Sequence, residues 1–220
     1  NNTVIISGGI VYSAGQSTYG EGINADQFTQ FGSFTDAISV ETAVNRTYVL
    51  TSNGDLWVKG KYIPEFTQVA SNVSEFGASF YNLTIVDING DAFDINLNTV
   101  SSGEFVDGVF KMVYTMNFET TLINIPGVVK VVGDASHQLL LTDSGEVYVK
   151  GEQYFRRALG IDASTFVEWT QVPNLPFIVD IDTSNSTSGL LSIDGELFET
   201  VPGESEFISI GMTDAIEIVI

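Results

Sequence analysis

The chain has 220 residues, enough for one sizeable hydrophobic core, and it is strongly acidic. Eight basic residues stand against 28 acidic ones, which gives a formal net charge of −20 at pH 7. Such a chain repels nucleic-acid phosphates and anionic lipid surfaces, so nucleic-acid binding is excluded as a function class. A hydrophobic fraction of 44% excludes a disordered acidic tail. No apolar run reaches the length needed for membrane insertion.

Two further absences narrow the chemistry. The chain contains no cysteine, which excludes disulfide scaffolds, thiolate zinc sites and cysteine nucleophiles. It begins Asn1-Asn2-Thr3 without a signal-peptide pattern, which predicts either a processed N-terminus or a fragment of a longer polypeptide. Together with the acidic charge, these features lead us to expect an extracellular or virion-surface location.

One phrase recurs along the chain: an apolar run, a Gly-centred turn and an alternating β-type run. It occupies residues 3–15, 46–60, 83–95, 137–151 and 189–200; the clearest copy is HQLLLTDSGEVYVKG at 137–151. A second β-type element occurs at residues 37–40, 128–132, 177–181 and 207–210. The residues that we assign to structural repeat positions are Gly9, Gly15, Gly54, Gly60, Gly90, His137, Gly145, Gly151 and Gly195.

The repeat predicts the fold class. Units of three or four short strands, spaced about 40 to 50 residues apart, bury both faces when they stack as the blades of a propeller. We therefore predict an all-β protein in which residues 1–220 form a single β-propeller domain of about five blades. Residues 110–123 (FKMVYTMNFETTLI) leave a degenerate sixth blade open as an alternative.

The two ends of the chain look like parts of one blade. The C-terminal GMTDAIEIVI at 211–220 aligns without gaps on VGDASHQLLL at 132–141, and the chain starts with a hairpin at residues 4–12. We expect Ile218, Val219 and Ile220 to pair with that hairpin, so that the termini meet.

Residues 128–160 resemble the repeat of the regulator of chromosome condensation family. The positions that match are Val129, Val131, His137, Leu139, Leu141, Thr142, Gly145, Val147, Tyr148, Gly151, Leu159 and Gly160. Residues 96–126 barely match, and the tryptophan of the family's blade is replaced by Ala14, by Val58-Lys59 or by Lys150. The resemblance implies a propeller fold. Its nuclear members imply guanine-nucleotide exchange on a small GTPase, or chromatin docking.

Two arguments weigh against those nuclear functions. The acidic charge disfavours chromatin. We recognise no extra β-hairpin wedge inserted in a blade, which disfavours exchange.

His137 is the only histidine in the chain. A Ser-His-Asp mechanism would require a nucleophile and a carboxylate beside it in space, and Asp134 and Ser136 are near it only in sequence. We interpret His137 as a structural residue that hydrogen-bonds backbone between blades.

The segment DINGDAFD contains four oxygen-bearing side chains of the kind that calcium prefers: Asp87, Asn89, Asp91 and Asp94. The EF-hand loop has its glycine at the sixth position, whereas Gly90 stands at the fourth. An Asx-Gly hairpin turn is the favoured interpretation, so we predict no cofactor and keep calcium as the alternative.

We favour a non-enzymatic structural or recognition module, as a decoration or assembly component of a virion or cell surface that binds protein partners. One alternative is a secreted carbohydrate-binding propeller that uses Trp57, Tyr62, Tyr154 and Trp169; the other is the GTPase binder. Because a repeat drifts where a partner imposes other demands, we expect the contact surface between residues 105 and 125. The residues that we assign to partner contact are Phe105, Phe110, Met112, Tyr114, Met116 and Phe118, with the basic pair Arg156 and Arg157.

Overall fold

The computed structural model describes residues 2–43, 45–79, 82–107, 109–134, 137–151, 161, 167–184, 187–201 and 206–215. Every secondary-structure element in this part of the chain is a β-strand, as predicted. The chain divides into a first compact unit, Asn1–Val73 with Ile95–Thr121, and a second compact unit, Ser74–Asp94 with Leu122–Ile220. No helix in the described residues has the length and apolar character that a membrane span requires.

The strands form five antiparallel sheets, each with its strands in chain order. In the first unit, β1 (Asn2–Ser7), β2 (Ile10–Gly15) and β3 (Ala25–Gln30) form one sheet, and β4 (Ala37–Ala43), β5 (Arg46–Thr51), β6 (Leu56–Gly60) and β7 (Ile63–Ala70) form another. In the second unit, β12 (Val128–Asp134), β13 (His137–Thr142), β14 (Val147–Gly151) and β15 (Val167–Gln171) form a third. A fourth contains β16 (Ile178–Ser184), β17 (Thr187–Ser192), β18 (Leu197–Thr200) and β19 (Phe207–Ser209).

The fifth sheet contains β8 (Val73–Ala78), β9 (Asn82–Asp87), β10 (Ala92–Val106) and β11 (Val109–Ile123). Strands β10 and β11 have 15 residues each, whereas the longest of the other strands has eight. Residues 110–123 therefore lie in one strand of a long hairpin, and the alternative of a degenerate sixth blade is wrong. Within the described residues, no extra hairpin is added to the four strands of this sheet, but its own hairpin of β10 and β11 is much longer than the strands of the other sheets.

Strand β13 explains why the repeat contains an uninterrupted apolar run. Its six residues are all buried, because successive side chains point to opposite faces and both faces are covered. Leu139 and Leu141 pack in one core cluster with Ile178, while Leu140 packs in a second cluster with Val131. A central strand buried on both faces needs apolar residues at consecutive positions, and LLL supplies them.

The glycines assigned to the repeat share one backbone feature. All eight have positive φ, between 76° and 154°: Gly9, Gly15, Gly54, Gly60, Gly90, Gly145, Gly151 and Gly195. L-residues with a Cβ rarely adopt this conformation, so the recurrence of glycine in the sequence follows from the geometry of the turns and strand ends. At Gly9 the space is closed as well, since a Cβ would lie 2.3 Å from the carbonyl oxygen of Thr35.

The closure predicted for the C-terminus falls on residues 216–220, which lie outside the described residues. Sheet β1-β2-β3 has three strands, while each of the other four described sheets has four. The pairing of Ile218, Val219 and Ile220 with the first hairpin stays a prediction, as does a single domain over residues 1–220.

Gly9 and Gly20 form a matched pair for testing the steric argument. Their φ values are 80° and 81°, but a Cβ at Gly20 meets nothing within 4 Å. Gly20→Ala therefore incurs only the backbone strain, about 1 kcal/mol, whereas Gly9→Ala adds the clash with Thr35 and is expected to cost about 3 kcal/mol or more. Urea unfolding measures both changes. Equal losses would show that the carbonyl of Thr35 moves away without cost.

Candidate functional site

His137 lies at the start of β13 and is almost completely buried, with 1% of its surface exposed. Its Nε2 atom makes hydrogen bonds with the hydroxyl oxygens of Thr183 on β16 and Ser188 on β17, the latter at 3.1 Å. The partners are thus side-chain hydroxyls of the following sheet rather than the backbone groups expected from the sequence. The Nδ1 atom has no hydrogen-bond partner.

The surroundings of the Nδ1 atom of His137 differ from those in a catalytic triad. In a triad a carboxylate accepts the Nδ1 proton and stabilises the imidazolium, but Nδ1 of His137 is buried without a partner. Burial also lowers the pKa of His137 to about 4, so the side chain is neutral at neutral pH. The geometry is that of a residue that ties two sheets of the second unit together.

The depressed pKa makes a prediction about stability. Well above pH 6.5 the histidine is neutral in both states; as the pH falls toward 4, mainly the unfolded chain binds the proton, and the free energy of unfolding decreases. The loss between pH 7 and pH 5 is expected to be about 2 kcal/mol. Urea unfolding at a series of pH values measures it.

The control is His137→Gln, which cannot titrate and is expected to remove this pH dependence. Glu75, whose pKa burial raises, is present in both proteins and cancels in the comparison. The same pH dependence in the variant would contradict the assignment.

The four calcium candidates are not brought together. The carboxylate of Asp87 accepts hydrogen bonds from the backbone N–H groups of Asn89 (2.8 Å) and Asp91 (2.9 Å), as expected of an Asx turn. Burial is the largest single influence and raises the pKa of Asp87, but the hydrogen bonds of the turn together outweigh it and lower the pKa. Asp94 lies apart from the turn, in β10. Among the described residues, no group of three or more His, Cys, Asp or Glu side chains is arranged to hold a metal ion.

Asp94 belongs instead to a buried polar network of the second unit that the sequence did not predict. The Nζ atom of Lys150 lies 2.6 Å from Oδ2 of Asp94, and both side chains are about nine-tenths buried. Trp169 Nε1 donates to Asp94 Oδ2 at 3.2 Å, and Thr84 Oγ1 donates to Asp94 Oδ1 at 2.7 Å. These three donors pair with the buried carboxylate of Asp94, so we assign the network a structural role.

The hairpin of β10 and β11 carries an apolar face. In β11, side chains at every second position point to the same side, and those positions are apolar. Three are strongly exposed: 57% of Phe110, 47% of Met112 and 42% of Tyr114. Met116 and Phe118 continue the stripe and are half-buried. We call these five residues the hairpin face.

Two ring contacts shape the hairpin face. Tyr114 stacks on Tyr62, with ring centroids 4.3 Å apart and planes inclined by 22°. Near the hairpin end, Phe105 and Phe110 meet edge to face at 5.5 Å. Phe105 is nevertheless 75% exposed, so this contact leaves a large apolar surface in solvent. The predicted contact residues therefore lie on one hairpin, whereas Arg156 and Arg157 lie outside the described residues.

The aromatic residues proposed for carbohydrate binding have different environments. Trp169 donates a hydrogen bond to Asp94, and the ring of Tyr62 stacks on that of Tyr114. Tyr154 lies outside the described residues. Trp57 is half-buried on β6 and lines an open cleft within the first unit.

A second repeat, on the outer strands, escaped the sequence analysis. QFTQF at 27–31, EFTQV at 65–69 and EWTQV at 168–172 lie on or at the end of β3, β7 and β15. The shared glutamine has the same task in two sheets: Gln68 Nε2 donates to Asp55 at 2.6 Å, and Gln171 Nε2 donates to Glu146 at 2.9 Å. An alignment of these five-residue segments would have revealed both Phe66 and Trp169.

Comparison with known proteins identifies the fold. No protein-family model matches the chain, and no curated protein matches it. Solved structures do: human WBSCR16 is 14% identical, with a TM-score of 0.71 over 96% of this chain and 65% of that one. Prp20p from Saccharomyces cerevisiae is 12% identical, with a TM-score of 0.72 over 98% of this chain and 60% of that one.

The yeast RCC1 protein Prp20 in complex with Kap60 matches as well, at 13% identity and a TM-score of 0.67, over 87% of this chain and 52% of that one. These proteins are RCC1-like β-propellers. The chain has a β-propeller fold. It spans about half to two thirds of the length of the structures that it matches.

Proposed function

We propose that this chain is a non-enzymatic protein-recognition module and that the hairpin face is its contact surface. The observation that carries the proposal is the exposure of Phe110 and Met112 on the hairpin face and of Phe105, whose ring contacts Phe110, each between 47% and 75%. Monomeric proteins rarely leave contiguous apolar surface in water without a binding role. Aromatic residues and methionine are also the side chains enriched at protein interfaces.

The structural neighbours supply a second line of support. Prp20 is described in complex with Kap60, and its binding to Gsp1p and histones has been characterised. Those proteins thus use a related fold to bind other proteins, and we carry over to this chain only the class of partner, a protein. The sequence identity of 12% to 14% is too low to carry over individual partners, so no named partner of those proteins is assigned to this chain.

The chemistry of the described residues agrees with a binding role. His137 is buried, neutral and bonded to hydroxyls, and the Lys150–Asp94 pair satisfies itself. A net charge of −20 disfavours contact with nucleic acid and anionic lipid and keeps the module soluble. The proposed setting on a virion or cell surface rests on this charge and on the absence of cysteine.

The double variant Phe110→Ser/Met112→Ser tests the contact surface. Both side chains are about half exposed, so the variant is expected to fold normally while it loses apolar contact area. Proteins captured from the source cells by the wild-type chain but not by the variant would be purified and titrated calorimetrically. For a true partner we expect the Kd to rise at least about tenfold in the variant.

The matched control is Ile193→Ser, at the turn that follows β17, because Ile193 is 63% exposed and lies off the hairpin. It should leave the Kd unchanged. Three outcomes would overturn the proposal: a purified partner that binds both variants equally, a hairpin that mediates only self-association in sedimentation experiments, or a measurable catalytic turnover.

A second candidate function is nucleotide exchange on a small GTPase. The observation in its favour is the extended hairpin of β10 and β11, whose strands have 15 residues each. Its end is also exposed at Phe105 and Phe110, as a projecting wedge would require.

The measurement for this candidate is the release of labelled GDP from Gsp1, the GTPase that Prp20p binds. If the chain is an exchange factor, it accelerates GDP release at least about tenfold over the intrinsic rate, which corresponds to a barrier lower by about 1.4 kcal/mol. The variant Phe110→Ser/Met112→Ser is expected to lose this acceleration. No acceleration would remove exchange on this GTPase while leaving the recognition proposal intact.

A further inference from the structure

An open cleft of about 430 Å³ lies within the first unit, and none of the residues that line it belongs to the hairpin face. Its volume is within the range of small-molecule sites. The segment that joins β3 to β4 forms one wall, and strands β6 and β7 with the turn before β6 form the other. The residues that carry its chemistry are Phe34, Asp36, Asp55, Trp57, Lys59 and Phe66.

Aromatic rings supply the apolar part of the cleft. Phe34 meets Trp57 edge to face at 6.1 Å and Phe66 at 4.8 Å, so the three rings brace one another. Trp57 is half-buried, which holds the indole in place while it still lines the cavity. A rigid indole that lines a cavity is a platform for a flat, partly apolar ligand.

The polar lining is held in place before any ligand arrives. Asp55 Oδ1 accepts a hydrogen bond from Gln68 Nε2 at 2.6 Å, and Oδ2 accepts one from Asn53 Nδ2 at 2.9 Å. Each carboxylate oxygen has two acceptor sites, so one on each oxygen is left for a ligand. Asp55 can thus accept two adjacent hydroxyl groups at once, from a carboxylate that the two amides keep in orientation.

The charges of the cleft decide which ligand class suits it. An anionic ligand would meet three carboxylates, those of Asp36, Asp55 and Glu65. An ammonium ligand would compete with Lys59, whose Nζ atom lies 5.7 Å from the ring centroid of Phe66 in the lining of the cleft. A neutral ligand with many hydroxyls and one apolar face uses both the donors and the acceptors.

The geometry points to a site for a neutral saccharide, with a pyranose ring against Trp57 and adjacent hydroxyls on Asp55. The site is independent of the hairpin face and adds a second ligand class to the proposed function. It also gives the carbohydrate alternative a location that uses Trp57 alone among the four aromatic residues first considered.

The test follows the two indole N–H signals of the folded chain by NMR, since Trp57 and Trp169 are its only tryptophans. The probes are neutral oligosaccharides: cellotetraose, mannotetraose, chitotetraose and N-acetyllactosamine. We expect at least one to shift the signal of Trp57 with a Kd of about 1 mM or tighter, and to leave that of Trp169 unchanged. Trp57→Phe assigns the two signals.

Two variants and a control locate the site. Trp57→Ala removes the platform, and Asp55→Asn keeps the shape of the side chain while replacing one acceptor by a donor; each is expected to raise the Kd at least about tenfold. Phe28→Ala removes a ring that is 49% exposed on β3 and does not line the cleft, so the Kd should not change.

Three results would overturn the inference. The first is that no oligosaccharide shifts the Trp57 signal at about 10 mM. The second is that choline shifts the Trp57 signal while the saccharides do not, which would assign the cleft to a cation. The third is saccharide binding that survives both Trp57→Ala and Asp55→Asn. Phe110→Ser/Met112→Ser should bind saccharide normally, which separates this inference from the proposal for the hairpin.

Discussion

The constraint on which the structure depends is that its short central strands must be covered on both faces. A strand of five or six residues gains little from its own hydrogen bonds, and the apolar area that it buries supplies most of its stability. In β13, Leu139 and Leu141 enter one core cluster and Leu140 enters another, so the strand joins two clusters of the second unit. The repeated apolar runs supply side chains for both covered faces, and the glycine turns connect the short strands.

The same constraint explains why the polar side chains that look functional in the sequence have structural partners instead. Polar groups caught between stacked sheets must find partners, because an unpaired buried charge is costly. His137 therefore bonds Thr183 and Ser188, and Lys150 pairs with Asp94 at 2.6 Å. Side chains that resemble catalytic or metal-binding residues in the sequence thus hold sheets together, and the surface is left to interact with other molecules.

Among the described residues, the hairpin face and the cleft beside Trp57 lie outside this coverage, and they differ in chemical character. The hairpin face lies on a strand of 15 residues, whereas the longest strand outside the hairpin has eight, so its outer residues reach beyond the packing that covers the shorter strands. It is apolar and suits a protein. The cleft beside Trp57 is polar and aromatic and suits a small neutral ligand. The two proposals together describe a module with separate surfaces for a protein and for a saccharide.

The sequence by itself determined the strands, the turns and the composition of the hairpin face, because these depend on residues within a few positions of one another. Alternation in β11 placed Phe110, Met112 and Tyr114 on one side, and every repeat glycine has the positive φ that its turn requires. The length of the hairpin was missed because residues 96–104 are mostly polar and resemble a loop. Only the tertiary structure decided that Lys150 meets Asp94, 56 residues away in sequence, and that rings from β6, β7 and a connecting segment form one cleft. Such contacts arise from the stacking of separate sheets, which sums many weak non-local contacts that no local pattern records.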